Sequence, residues 1–199
     1  MSFGPLNTDG ESDLWLCFKT GNKTAFAEIY ERYVGVLYNY GFHISGRSEI
    51  VEDAIQDLFL NLWQSRERLS DTTSIKYYLF RSLRRQIVKA SEKNRRDERH
   101  LSVQILEEHA VEPSVEIRLI AGELEKEQWQ ELRMALRKLT SRQLEAIRLY
   151  YYEGFDLPGI ASIMEMNEQS VRNILQRALI KLRHVMQLFP FILSAFQNV

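Results

Sequence analysis

The chain has 199 residues, of which 45% are hydrophobic and 27% charged, with a net charge of −1; this composition is typical of a globular protein of one or two domains. It contains no run of about 18 apolar residues, and Met1–Gly10 lacks the basic and apolar stretches of a secretion signal, so we expect a cytoplasmic protein without membrane insertion. The single cysteine, Cys17, excludes an internal disulfide and fits a reducing compartment.

Charge is unevenly distributed along the chain. Residues 71–100 hold nine Lys and Arg against four acids, whereas residues 101–131 hold eight acids against two basic residues. Phosphate contacts supply most of the sequence-independent affinity of a protein for DNA. A basic segment in a near-neutral chain therefore predicts weak DNA binding by the protein alone, and a partner that holds it on DNA.

Apolar residues recur at helical spacing through most of the chain, and no segment alternates as a strand does. We therefore predict an all-α fold of two small helical domains, 14–96 and 122–186, joined by an acidic linker at 97–121 and followed by an apolar extension at 187–199. In the first domain, helices are predicted at Leu14–Thr20, Lys23–Phe42, Ser48–Ser65 and Ser74–Asn94. In the second domain, helices are predicted at Glu123–Leu139, Ser141–Tyr152, Leu157–Met164 and Glu168–Met186.

Capping residues support the helix starts of the second domain. Ser141 is predicted to start one helix, although Glu145 stands one position late for a capping box. Asp156 is a predicted N-cap with Pro158 in the first turn, where its missing N–H costs little. Asn167 is predicted to cap the last helix.

The predicted helix Ser48–Ser65 carries an apolar stripe and, opposite it, acids next to an exposed leucine. An apolar or aromatic anchor among charges is typical of a protein-docking surface; the alternative is a solvated face with its tryptophan in the core. The residues of this candidate docking surface are Asp53, Gln56, Asp57, Leu60 and Trp63.

The predicted helix Ser74–Asn94 places two aromatic residues among four cations, away from its apolar stripe. Such a face suits single-stranded DNA, because bases stack on the rings while the cations neutralise phosphates. The alternative is a basic solvated helix with half-buried tyrosines. The residues of this candidate basic face are Tyr77, Tyr78, Arg81, Arg84, Arg85 and Lys89.

The last two predicted helices form a helix-turn-helix pattern, with the turn at Glu165–Asn167. Arg, Asn and Gln are the side chains that make bidentate contacts to base edges in the major groove. An ordinary helical hairpin with a polar face is the alternative. The residues of this candidate recognition face are Gln169, Arg172, Asn173, Gln176 and Arg177.

These segments, in this order, resemble the extracytoplasmic-function RNA polymerase sigma factors of the sigma-70 family. The resemblance covers about 150 of the 199 residues and implies a sigma-2-type bundle, a sigma-4-type helix-turn-helix domain, and a promoter-recognition subunit that is not an enzyme. It rests on Lys23–Tyr40 (KTAFAEIYERYVGVLYNY), Val51–Trp63 (VEDAIQDLFLNLW), Tyr78–Arg85 (YLFRSLRR) and Ala135–Arg183.

The resemblance also implies a role for each surface. The docking surface would bind the clamp helices of the largest polymerase subunit. The basic face and the loop Arg66–Ser74 before it would open the −10 element and capture a flipped non-template base, and the recognition face would read the −35 element. The implied partners are core RNA polymerase, promoter DNA and an anti-sigma factor.

Three features depart from the family pattern. Tyr78 replaces a frequent Trp and keeps an aromatic ring, whereas Arg85 replaces a frequent Asn and changes the chemistry of the −10 contact. Glu165 stands where the turn often carries Gly, so a positive φ there would be mildly strained. The extension 187–199 runs past the usual end; we expect it to pack on the second domain, with a partner contact as the alternative.

Two other functions account for parts of the sequence. A freestanding helix-turn-helix repressor or activator explains Leu157–Met186, leaves the first domain without a role, and would bind duplex DNA tightly by itself. An adaptor or anti-sigma-like regulator would use only the docking surface. Its binding to polymerase would survive loss of the DNA-facing residues without a change in output.

No pattern predicts an enzyme, a metal site or a cofactor. The histidines are scattered, no Cys and His cluster has metal-ligand spacing, and the sequence lacks a phosphate-binding glycine loop and a nucleophile motif. Acids that are adjacent in sequence diverge on a helix. The histidines are His43, His100, His109 and His184.

Overall fold

The computed structural model describes residues 8–72, 74–98 and 134–186. These ranges contain helices, turns and coil but no strand, and the predicted all-α fold class is confirmed. The chain divides into two compact units, the N-terminal unit Met1–Gln104 and the C-terminal unit Ile105–Val199. The extension 187–199 lies outside the described residues, as does the linker 97–121 beyond Glu98.

The described part of the N-terminal unit is built from four α-helices and one 3₁₀ turn. Asn22 begins the second helix, because its Oδ1 accepts the N–H of Thr24 at 2.9 Å. Gly46 ends that helix in the left-handed region, at a φ of +67°, which glycine adopts without strain. The helices are α1 (Thr8–Lys19), α2 (Lys23–Ser45), α3 (Ser48–Ser65) and α4 (Ile75–Glu98), with the 3₁₀ turn at Arg66–Arg68.

The core of the N-terminal unit lies where α2, α3 and α4 pack against one another. Gly41 marks the closest approach, because a Cβ there would lie 2.8 Å from Val51 Cγ1 and 2.9 Å from Ile87 Cδ1. The predicted apolar stripes of α3 and α4 are buried except at Ile50 and Ala90, which are half-buried. The buried members are Val51, Ala54, Ile55, Leu58, Phe59, Leu62, Ile75, Leu79, Phe80, Leu83 and Ile87.

The first helix begins earlier than predicted, at Thr8 instead of Leu14. The added turn has the polar sequence Thr-Asp-Gly-Glu-Ser-Asp, so it contributes no apolar periodicity to mark it as a helix. It is anchored by polar contacts instead, chiefly those of the buried carboxylate of Glu11. Trp15 and Phe18, on the later turns, are fully buried.

In the C-terminal unit, residues 134–137 are helical and precede three α-helices. The prediction of one α-helix over Ser141–Tyr152 is wrong in its second half, where a π-helix runs over Arg148–Tyr152. There the N–H of Glu153 donates to the carbonyl of Arg148 at 2.9 Å, a span of five residues. The helices are α5 (Ser141–Ile147), α6 (Leu157–Ile163) and α7 (Glu168–Met186).

Capping side chains set the starts of these helices. The N-cap of α5 is Thr140 and not Ser141, because Thr140 and Gln143 exchange the two hydrogen bonds of a capping box. The predicted cap at Asp156 is confirmed by its Oδ1, which accepts the N–H of Gly159 at 2.9 Å. The predicted cap at Asn167 is confirmed in the same way, with Ser170 N–H at 2.7 Å.

Helix α7 is the central element of the C-terminal unit and packs on both α5 and α6. Ala178 and Leu182 are buried against Ala135 and Leu139. On the polar side, Lys181 Nζ donates to Lys138 O at 2.9 Å and to Gln143 Oε1 at 3.0 Å. One lysine thus ties the end of the 134–137 turn and the start of α5 to α7.

Candidate functional site

The docking surface lies on the side of α3 that faces away from the bundle core. Asp53, Gln56 and Asp57 are exposed, and Leu60 exposes 55% of its surface. These residues follow one another at helical spacing, so two carboxylates and one apolar side chain share a face of the helix. A surface of this kind suits a partner with basic residues around an apolar pocket.

Trp63 stands at the edge of this surface and is half-buried. Its ring lies 5.1 Å from that of Phe26 and 6.4 Å from that of Phe18, between centroids. The guanidinium of Arg66 lies over the same ring, 4.7 Å from its centroid. Packing therefore holds the indole in place, and both interpretations of Trp63, as a surface residue and as a core residue, are partly right.

The basic face of α4 is only partly exposed, and one of its tyrosines packs against α1. Arg85 and Lys89 are exposed, but the other four members are half-buried. The ring of Tyr78 lies 5.3 Å from that of Trp15 on α1. Tyr77 and Tyr78 are therefore half-buried, as the alternative interpretation expected, and Arg81 and Arg84 are less exposed than the DNA-binding interpretation expected.

The guanidinium of Arg81 contains a buried nitrogen, Nε, that has no hydrogen-bond partner among the residues that the structure describes. Buried donors in native proteins are nearly always paired. Because the Nε atom is buried, an acceptor from outside the protein reaches it only if the Arg81 side chain moves.

Residues of α1 that the sequence analysis did not single out reach the segment before α4. The indole N–H of Trp15 donates to the carbonyl of Ser70 at 3.1 Å. Lys19 Nζ contacts Asp71 Oδ1 at 2.5 Å. Glu11 accepts the backbone N–H of Ile75 at 3.1 Å. The only sequence signal for this set is the spacing of its members, four residues apart, on a helix whose first turn is polar.

The recognition face lies on α7, opposite a buried stripe formed by Val171, Leu175, Ala178 and Leu182. The side chain of Gln169 donates to Asn173 Oδ1 at 3.2 Å, which orders the first turn of the face. All of its predicted members are exposed, namely Gln169, Arg172, Asn173, Gln176 and Arg177.

The turn between α6 and α7 contains a residue in the left-handed region. Glu165 has a φ of +55°, a conformation that costs a residue with a Cβ some strain. The N–H of Met166 donates to Ala161 O at 2.9 Å, which closes the turn. The turn thus requires at Glu165 the positive φ whose strain the sequence analysis considered, and the short turn sets the angle at which α7 leaves α6.

The π-helix before the helix-turn-helix presents tyrosines on both of its sides. Tyr151 is half-buried, and burial raises its pKa to about 12, with a smaller contribution from Tyr150. Tyr152 is 68% exposed and has the guanidinium of Arg148 5.0 Å from its ring centroid. The hydroxyl of Tyr151 therefore stays protonated at any physiological pH.

Two regions of one sequence family match the chain over these elements. Sigma-70 region 2 matches residues 29–97, which hold the docking surface and the basic face. Sigma-70, region 4, matches residues 129–182, which hold the recognition face. The chain belongs to the sigma-70 family. The two regions are those that the resemblance to extracytoplasmic-function sigma factors implies, in the predicted order.

Solved structures share the fold of this sigma factor. One is the sigma factor RpoE from Bartonella quintana, in complex with the anti-sigma factor NepR; it is 21% identical, with 82% of this chain and 98% of that chain covered and a TM-score of 0.64. Another is CnrH in complex with the cytosolic domain of CnrY, at 18% identity, 89% and 97% coverage and a TM-score of 0.56. No curated protein sequence matches the chain significantly.

The sigma-70 family consists of transcription regulators and not of catalytic enzymes. Among the described residues, no group of His, Cys, Asp or Glu side chains is arranged to hold a metal ion. Over the same ranges, no helix of this sigma factor combines the length and the apolar character that a bilayer crossing requires.

Proposed function

We propose that the chain binds core RNA polymerase through α3 and directs transcription from promoters that it recognises at the −35 and −10 elements. The observation that carries the proposal is the chemistry of the three surfaces within the matched sigma-70 regions. The docking surface is acidic and apolar, the basic face joins cations to tyrosines, and the recognition face is rich in Arg, Asn and Gln.

Contact with polymerase is assigned to Asp53, Gln56, Asp57, Leu60 and Trp63. A buried apolar anchor with a charged rim is the usual composition of a protein interface. Leu60 supplies the anchor, and the carboxylates of Asp53 and Asp57 supply the rim. The acids also steer the chain toward a basic partner before contact is made.

Opening of the −10 element is assigned to α4. Arg85 and Lys89 are exposed, and Arg81 and Arg84 lie at the border of the surface, so this face attracts the phosphates of a single strand. We assign the stacked base to Tyr77, one of the two tyrosines of this face. Tyr78, which packs on Trp15, supports the face from below.

Reading of the −35 element is assigned to α7. The exposed side chains begin at Gln169, in the first turn, and a recognition helix contacts base edges with its N-terminal residues. Arg172 and Arg177 can each bind a guanine in bidentate fashion, while Asn173 and Gln176 can bind adenine.

An anti-sigma factor is proposed as the inhibitory partner. The structurally similar RpoE was solved with the anti-sigma factor NepR, and CnrH with the cytosolic domain of CnrY. The exposed Leu60 and its flanking acids make the docking surface a site at which such a partner would compete with polymerase.

Transcription in vitro tests the proposal. Purified chain and core polymerase are incubated with a genomic library, and the transcripts are mapped to their start sites. We expect specific initiation only when both components are present, with little binding to DNA by the chain alone. Tight dimeric binding to duplex DNA would favour a freestanding repressor. Polymerase binding without any new start site would favour an adaptor.

We expect Tyr77→Ala to impair promoter opening more than formation of the closed complex. The stacking of one base on an aromatic side chain contributes about 1–3 kcal/mol, so the open fraction should fall by roughly 5- to 150-fold. Permanganate reactivity of −10 thymines measures opening, and Tyr77→Phe, which keeps the ring, is the matched control. Wild-type reactivity in Tyr77→Ala would exclude the stacking role.

A further inference from the structure

One face of α1 is directed at the segment that leads into α4. Glu11, Trp15 and Lys19 stand four residues apart, so their side chains lie along one side of the helix. Each makes a polar contact with the segment 69–72 or with the first residue of α4. Two of these contacts are to backbone atoms, so they fix the path of the chain whatever side chains the segment carries.

Glu11 caps α4 from a different helix. Its carboxylate is only 5% exposed, and Oε2 accepts the N–H of Ile75 at 3.1 Å. That N–H belongs to the first turn of α4, where helical donors have no partner within the helix and negative charge is favourable. The start of α4 is therefore tied to a charge on α1.

Tyr33 completes the environment of this carboxylate by donating its hydroxyl hydrogen bond to Oε1 of Glu11. Burial, and next the hydrogen bond to Glu11, raise the pKa of Tyr33 well above its ordinary value. The hydroxyl therefore remains a donor. A buried carboxylate without such partners would be costly, so the two hydrogen bonds hold Glu11 in a single orientation.

Trp15 contacts both the segment and α4. Its side chain is 1% exposed, and its indole N–H, which can only donate, bonds to Ser70 O at 3.1 Å. The ring lies 5.3 Å from the rings of both Phe18 and Tyr78. One residue thus sets the distance between the segment 69–72 and the aromatic part of the basic face.

Lys19 holds the outer end of the segment. Its ammonium lies 2.5 Å from Asp71 Oδ1, and the Asp71 side chain is 85% exposed. The Lys19 side chain is 19% exposed, but an ion pair with one largely solvated partner adds little to stability. Its effect is on position, because it restrains the part of the segment that is farthest from the core.

Hydrogen bonds among Thr72, Ser74 and Tyr77 shape the connection between the segment and α4. Thr72 Oγ1 donates to Ser74 O at 3.0 Å and accepts the N–H of Ser74 at 3.2 Å. Ser74 Oγ then accepts the N–H of Tyr77 at 3.2 Å, at the start of α4. Local contacts of this kind form a turn but do not fix its orientation relative to the rest of the bundle. The contacts to α1 fix that orientation.

We propose that Glu11, Trp15 and Lys19 are positioning residues that set base selectivity at the −10 element by fixing the segment 69–72 and Tyr77 relative to each other. The inference rests on the proposed function of the basic face. In this arrangement α1 touches no DNA base. It determines how well a flipped base fits between the segment and α4. Loss of the contacts from α1 therefore relaxes discrimination among bases at the −10 element without weakening the affinity for polymerase.

The first test is Trp15→Phe in the full chain assembled with core polymerase. Phenylalanine keeps an aromatic ring beside Phe18 and Tyr78 but cannot donate to Ser70. Initiation is measured on promoters that differ at single −10 or −35 positions. We expect discrimination at one or more −10 positions to fall roughly 2- to 10-fold, the effect of one neutral hydrogen bond, with −35 discrimination and polymerase affinity unchanged. A purely structural role would lower the melting temperature and leave the −10 preference as it is.

The second test uses the ion pair of Lys19 and Asp71 and does not depend on how Trp15→Phe folds. Lys19→Asp and Asp71→Lys should each relax −10 discrimination, and the double variant, which restores opposite charges, should recover it. Glu31→Lys on α2 is the control for charge reversal, because Glu31 is exposed and is not one of the residues that hold the segment. Wild-type −10 discrimination in both single variants would overturn the inference. A wild-type chain that directs no initiation would instead overturn the proposed function.

Discussion

Asp57→Lys should abolish assembly with core polymerase while the chain stays folded. Asp57 is exposed on α3, so a lysine there meets no steric obstacle. It places a positive charge between Asp53 and Leu60, in the middle of the surface assigned to a basic partner. Like charges across an interface cost several kcal/mol, which corresponds to a loss of roughly 100-fold or more in affinity. The affinity can be measured with labelled chain and purified core enzyme.

Glu31→Lys is the matched control for this charge reversal. Glu31 is exposed on α2 and lies outside the assigned docking surface, so the same change in net charge should leave assembly intact. The melting temperatures of both variants should match that of the wild type. Equal losses of affinity in the two variants would show that overall charge matters, and the assignment of α3 as the docking helix would then fail.

Two helices with strong amphipathic patterns were predicted with their correct bounds, whereas α4 begins one residue later and ends four residues later than predicted. Helices α3 and α7 run over Ser48–Ser65 and Glu168–Met186, as the spacing of their apolar residues indicates. Both helices pack one apolar stripe against a core and expose the opposite side, so the spacing of their apolar residues predicts which residues are buried. For the same reason, the exposure of the recognition face could be predicted from the sequence.

The sequence could not decide between an exposed basic face and one with half-buried tyrosines, because the burial depends on a contact between distant segments. Tyr78 is half-buried since it meets Trp15 of α1. The first turn of α1 has no apolar stripe, and its attachment relies on Glu11, whose partners Tyr33 and Ile75 are far away in sequence. Polar contacts of this kind produce no periodic pattern in the sequence, so they can be identified only from the folded structure.

Two local errors have local causes. Thr140 and Ser141 are adjacent and both can cap a helix, so the choice depends on the residue three positions later. Gln143 stands in that position for Thr140, whereas Leu144 would stand there for Ser141. The π-helix at Arg148–Tyr152 widens the last turn by one residue. The same residue types occur in α-helices, so the composition of the segment does not indicate the change.

Arg172→Ala should relax the preference for one base pair of the −35 element and leave the other positions unchanged. Arg172 is exposed near the N-terminal end of α7, in the part of a recognition helix that reaches base edges. A bidentate contact between arginine and guanine contributes about 1–3 kcal/mol of discrimination, so the preferred base should lose roughly 5- to 150-fold of its advantage. Binding of holoenzyme to duplexes that vary at each −35 position measures the change.

Arg183→Ala provides the comparison on the same helix. Arg183 is exposed but lies toward the C-terminal end of α7, so its removal takes away the same charge without reaching the bases. The two substitutions should also differ in salt dependence, because losing a phosphate contact lowers the slope of affinity against salt by about one, whereas losing a base contact changes mainly specificity. If Arg172→Ala weakened all sequences equally and lowered the slope, Arg172 would be a phosphate contact, and base reading would pass to Asn173, Gln176 and Arg177.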